Sequence, residues 1–154
     1  MACRLDPRAV KVTREYRDKE AALESLVNLT CDVYGIPDRE EVIRSIIERE
    51  SKLSTGMGLG VAVPHSRFDA IEDIIISVLL IPEGIDYNAV DGRPVKLMVM
   101  ILSSPRDVGG YLAFLSSLAQ AVSDDDTRST ILSVKDAGEL YQRILPVLSS
   151  CIHS

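Results

Sequence analysis

Residues 74–81 read Ile74-Ile75-Ile76-Ser77-Val78-Leu79-Leu80-Ile81. The run is apolar at odd and even positions alike. A strand wetted on one side alternates, whereas a run apolar on both sides belongs to a strand covered on both faces. It is far short of the ~20 residues a membrane helix needs, and Ser77 interrupts it. Val95 to Leu102 is a second run of the same kind, and Asp91-Gly92 between the two is a strong turn signal.

Outward from these strands the pattern turns helical. Ala21, Leu23, Leu26, Val27, Leu29 and Thr30 recur at three- and four-residue spacing, and Gly35 offers a stop. A second helix is expected after Pro37, with Asp38 as cap, Glu41 completing a capping box, and Val42, Ile43, Ile46 and Ile47 as its apolar stripe. Helices are also expected over 108–122, after a Ser123 cap with Asp124, Asp125 and Asp126 in the first turn, and over 136–148. Val10-Lys11-Val12 reads as a short edge strand and Val61-Ala62-Val63 as another short strand, stopped by Pro64. A sheet covered by helices on both sides, an α/β layered domain, fits best. Residues 1–9 read as a flexible tail and 10–150 as one domain, without internal repeats or a Pro-, Gly- or Ser-rich linker.

Composition narrows the function. The chain has 154 residues, 46% hydrophobic and 26% charged, which excludes a disordered chain. Seventeen basic against 23 acidic residues give a net charge of −6, which argues against nucleic-acid binding. No signal peptide or membrane-inserting segment is evident. Cys3, Cys31 and Cys151 are odd in number and far apart, so reduced thiols in a cytoplasm are expected rather than a disulfide framework.

Of the two histidines, His153 is penultimate and is set aside. His65 follows a glycine-rich loop and Pro64 at the end of a short strand, where α/β proteins place their sites. No set of zinc-ligand spacing surrounds it, so neither metal nor cofactor is implied. Without a G-x-S-x-G elbow, serine-hydrolase chemistry is weak as well. His65 itself remains as a nucleophile, since neutral imidazole can attack phosphorus. A phosphoryl acceptor needs charge compensation. Gly56, Gly58 and Gly60 permit an anion nest of backbone N–H groups, Ser54 and Thr55 add hydroxyls, and Arg49 offers a planar fork of donors. Gly56-Met57-Gly58-Leu59-Gly60 is no dinucleotide fingerprint, because its spacing is wrong and it leads into a strand. The acidic run 124–126 is what a helix dipole favours at its start.

The stretch from Arg49 through Glu50, Ser54-Thr55-Gly56-Met57-Gly58-Leu59-Gly60 and Val61-Ala62-Val63-Pro64-His65 closely resembles the signature R-E-x-x-x-S-T-G-I-G-x-G-V-A-I-P-H. That signature marks the fructose/mannitol-type enzyme IIA domain of the bacterial phosphotransferase system. Asp91-Gly92-Arg93-Pro94-Val95 is similar to its D-G-x-P-V turn, and 112–119 to its L-x-x-L-S-x-L-A helix. Residues 138–144 resemble the closing helix of the nitrogen-regulatory branch. The resemblance implies a mixed β-sheet sandwiched between helices in three layers. It implies that His65 accepts a phosphoryl group from the phosphocarrier HPr or a nitrogen-branch counterpart. The group then serves regulation, through target proteins, or passes to a IIB domain in sugar uptake. Arg49 matches the arginine near the phosphohistidine. Where the family has a second histidine, this chain has Tyr111, expected to aim its hydroxyl at His65 or the phosphoryl oxygens. That departure raises the alternative of a regulatory binding module with weak phosphotransfer. Met57, Leu59 and Phe68 are expected to form an apolar contact patch around the site.

Overall fold

The computed structural model describes residues 3–14, 16–52, 54–106 and 108–152, so His153 lies outside the described residues. The elements are β1 (Cys3–Val12), α1 (Lys19–Tyr34), α2 (Arg39–Lys52), β2 (Gly56–Gly58), β3 (Val61–Ala62), β4 (His65–Arg67), β5 (Ile74–Ile85), β6 (Val95–Ser103), α3 (Val108–Ser123), α4 (Asp125–Leu132) and α5 (Ala137–Ile152). The sheet order is β1-β5-β6-β3-β2, with β4 beside β6 as well. It is mixed: β5 and β6 are antiparallel, while β1 runs parallel to β5, and β3 and β4 parallel to β6.

The two apolar runs do what their composition requires. On β5, Ile74, Ile76, Val78 and Leu80 point into a core closed by Tyr111, Phe114, Leu118 and Val122 of α3 and Leu140, Ile144 and Leu148 of α5. Ile75, Leu79 and Ile81 point to the other face, against Leu23, Leu26 and Val27 of α1 and Val42 and Ile46 of α2. Ser77 falls on this second face. Its hydroxyl meets Thr30 Oγ1 at 2.6 Å, and Thr30 also donates to the Leu26 carbonyl, so the buried polar pair is satisfied.

Four local expectations are corrected. Residues 3–9 are not a tail: β1 starts at Cys3 and pairs with β5 on both sides of an irregularity between Leu5 and Val10. Pro7 lies in that irregularity, where the ladder needs no N–H from it. Asp38 does not cap α2 through a capping box. Its φ is +56°, the Glu41 and Val42 amides bond its backbone carbonyl, and the Glu41 carboxylate pairs with Arg44 instead. The cap of α4 is Asp124, whose carboxylate accepts from the Thr127 amide at 2.9 Å, while Ser123 ends α3. The Ser54–Gly60 loop is partly a tight antiparallel hairpin of β2 with β3.

Candidate active site

Pro64 positions His65. The register of β3 on β6 (Val61 opposite Leu97) resumes unchanged in β4 (His65 opposite Ile101). The break between them falls where proline has no N–H to give. Val63 is fixed at its amide by the Thr55 carbonyl at 3.1 Å, and the Ile101 amide holds the Pro64 carbonyl at 3.0 Å. Strand alternation then sends His65 and Arg67 to the α3 face and buries Ser66 on the α2 side, where it bonds Ser45 at 2.7 Å.

His65 Nδ1 lies 2.9 Å from the Val63 carbonyl oxygen. A carbonyl only accepts, so Nδ1 carries the proton and donates it. Nε2 is left with its lone pair. Burial lowers the imidazole pKa below its ordinary value; the Val63 carbonyl and the Glu50 charge oppose this, and the charges of Arg49 and Arg67 add to the lowering. The ring is therefore neutral near pH 7.

A cleft of about 860 Å³ opens beside His65 between α2 and α3. Arg44, Arg49 and Lys52 line it from α2, Ser54, Thr55 and Met57 from the loop, and Leu115 and Ser116 from α3. Arg49 is exposed and has no ion-pair partner among the described residues, whereas Arg44 and Lys52 are paired with Glu41 and Glu48. The structure thus brings Arg49, Ser54, Thr55 and His65 to one cleft.

The glycines differ from expectation. Gly58, Leu59 and Gly60 all have positive φ, and the Leu59 amide donates at 2.9 Å to Asp91 Oδ2. The bent backbone does hold an anion, but one supplied by its own chain, and neither Gly58 nor Gly60 lines the cleft. Ser54 and Thr55 line it with their donors already committed. Ser54 Oγ donates to the Tyr87 carbonyl at 3.3 Å, and both the amide and the hydroxyl of Thr55 donate to the Glu50 carboxylate.

Tyr111 is corrected too. Its side chain leaves the first turn of α3 toward His65 as expected, with ring centres 5.4 Å apart in an edge-on arrangement. The hydroxyl, however, is buried in the core and has no hydrogen-bond partner among the described residues. The ring touches His65; the oxygen does not. Phe68 packs into the α1/α2 core and is no part of an exposed patch, while Met57 and Leu59 are 37% and 40% exposed.

Sequence reading passed over Glu50. It occupies the buried stripe of α2 four residues beyond Ile46 and accepts from Lys19 Nζ and the Tyr87 hydroxyl, each at 2.9 Å, as well as from Thr55. Tyr87, in turn, has its hydroxyl pKa pushed up, by burial first and then by the Glu50 charge. The signal was there: a carboxylate continuing the spacing Val42, Ile46 at a core position demands buried partners.

Against known proteins, the family model described as "Phosphoenolpyruvate-dependent sugar phosphotransferase system, EIIA 2" matches residues 4–146. The chain belongs to this family. EIIA components are phosphotransferase proteins that carry phosphohistidine. Among this EIIA chain's relatives is the fructose-specific EIIA component of Haloferax volcanii, 33% identical over 134 residues, covering 87% of this chain and 84% of the relative. The nitrogen regulatory protein of Pseudomonas aeruginosa is 30% identical, covering 84% of each. The structure of nitrogen regulatory protein IIA-Ntr from Neisseria meningitidis superposes with a TM-score of 0.80 at 27% identity, covering 92% of this chain and 93% of that one. These establish the three-layer mixed-sheet fold. No described helix is long and apolar enough to cross a membrane.

Proposed function

We propose that this EIIA chain is a cytoplasmic phosphoryl carrier and that His65 Nε2 is its acceptor atom. The observation that carries the reading is the 2.9 Å contact of Nδ1 with the Val63 carbonyl, which presents a neutral nitrogen lone pair at the cleft. In the transfer step the Nε2 lone pair attacks the phosphorus of the donor phosphohistidine on HPr or its nitrogen-branch counterpart. The Nε2–P bond forms as the donor's P–N bond breaks, and that electron pair returns to the donor imidazole. The His65 ring becomes cationic while it keeps the Nδ1 proton, so its bond to the Val63 carbonyl strengthens in step with the chemistry. Arg49, exposed and unpaired among the described residues, offsets the incoming phosphoryl charge, and Ser54 and Thr55 shape the wall of the cleft. The reverse attack, by a nucleophile of a IIB domain, discharges the carrier.

The nitrogen regulatory relatives favour a second use of the same phosphohistidine, as a signal read by target proteins. The test is incubation with phosphoenolpyruvate, enzyme I and HPr. Wild type takes up one phosphoryl group and His65→Ala takes up none; label retained on His65→Ala overturns the assignment. Discharge by a fructose- or mannitol-type IIB domain supports the uptake role, and its absence with charging intact supports the regulatory one.

A further inference from the structure

Arg67 lies two residues beyond His65 on β4, so pleating puts the two side chains on one face. The Arg67 guanidinium carbon sits 5.6 Å from the centre of the Tyr111 ring, the same ring whose neighbour on its other contact is His65 at 5.4 Å. The aromatic face holds the cation in place without neutralising it. In a chain of net charge −6, other arginines are engaged by carboxylates, among them Arg44, Arg106 and Arg128. Among the described residues Arg4, Arg14, Arg49, Arg67 and Arg143 have no such partner, and of these five it is Arg49 and Arg67 whose charges act on His65. Two uncompensated guanidinium groups beside one nucleophile are an arrangement suited to an anion that comes and goes.

We propose that Arg67 is a second phosphoryl-binding cation of this site, seated on the Tyr111 ring and closing on the phosphoryl oxygens of His65 from the β4 side while Arg49 closes from α2. The proposal rests on the reading of His65 as acceptor. A phosphoryl group brings close to two negative charges, which one arginine leaves half compensated. Arg67 supplies a charge that does not titrate and a fork that fits two oxygens.

The test uses phosphoramidate as a small donor, so that contacts with a donor protein play no part. His65 Nε2 attacks phosphorus, the Nε2–P bond forms, the P–N bond breaks, and ammonia leaves with the pair. Phosphohistidine is followed by 31P NMR in wild type, Arg67→Gln and Arg67→Lys, each first checked for a native circular dichroism spectrum. The expected order of rate is wild type, then Lys, then Gln, with Arg67→Gln slowed about tenfold, the size of one lost charge-assisted hydrogen bond. Phosphohistidine lifetime falls in the same order. If wild type forms no phosphohistidine at His65, the acceptor assignment fails and this inference with it. If wild type is charged and Arg67→Gln matches it, the acceptor stands and Arg67 has no such role. Slowing with phosphorylated HPr but not with phosphoramidate makes Arg67 a docking contact and overturns the proposal. So does an Arg67→Lys rate as low as that of Arg67→Gln.

Discussion

At the scale of single residues, His65 is tuned by where its chain runs. Burial lowers its pKa, so near pH 6 the unfolded chain binds more protons than the folded one. Stability is therefore unaffected well above the ordinary histidine value of about 6.5 and is lost as pH falls from there through the lowered one. Between pH 7.5 and 5.5, the urea midpoint of wild type is expected to drop further than that of His65→Gln, and equal drops would remove this linkage. Tyr111 gives the opposite kind of expectation. An unsatisfied buried hydroxyl costs about 1–3 kcal/mol, so Tyr111→Phe should raise unfolding stability by roughly 1 kcal/mol or more in urea. No gain would mean that the hydroxyl is satisfied in solution. That His65 and Arg49 share one cleft was legible in the sequence, because a histidine after a glycine-rich loop and an arginine on the preceding helix are chemistry-bearing types at local spacing. Tyr111 was legible as a neighbour of His65 but not in its contact, since sequence gives proximity along a helix and not which end of the ring meets the partner.

Between residue and fold stand the elements that carry the site. The β2–β3 hairpin is latched to the far turn by Asp91, which accepts from the amides of Leu59 and Arg93 and is held below the usual carboxylate range by them. Gly58, at φ +89°, has Asp91 Oδ2 only 3.2 Å from where a Cβ would sit. Gly58→Ala should therefore lose about 1–3 kcal/mol in urea unfolding, combining backbone strain with displacement of the latch. Behind the loop, Glu50 ties the end of α2 to Thr55, Lys19 and Tyr87. Glu50→Ala leaves the partly buried Lys19 ammonium with only the Tyr87 carbonyl and ring in place of its carboxylate partner, and should cost roughly 3 kcal/mol, with a matching fall in melting temperature. A loss within a few tenths would make the cluster inert. The helices were legible from their spacing, and the apolar strands from their runs. β1 was not, because Arg4, Asp6, Pro7 and Arg8 make an edge strand look like a tail when the pairing strand lies some seventy residues away. The cap of α4 slipped by one residue for a simpler reason: Ser123 and Asp124 are both good caps, and only the hydrogen bond chooses between them.

Over the whole molecule, β5 and β6 are shared by two cores, one under α3 and α5 and one under α1 and α2. Leu79 and Leu80 are consecutive, buried to within 1%, and face opposite cores. Each truncated to alanine should cost about 2–5 kcal/mol, and both variants should still unfold in one step. Far-ultraviolet circular dichroism and tyrosine emission should give coincident transitions, whereas separate ones would mean that the layers unfold independently. The layering was legible because runs apolar on both faces have only one arrangement that covers them. The chain has five tyrosines and no tryptophan, so no indole drowns the phenol signal. Tyr111, edge-on to His65, is therefore a built-in optical gauge: a charge arriving on the imidazole perturbs the nearest phenol. Phosphoryl loading should be readable in an unlabelled sample as a near-ultraviolet difference spectrum that vanishes in Tyr111→Phe.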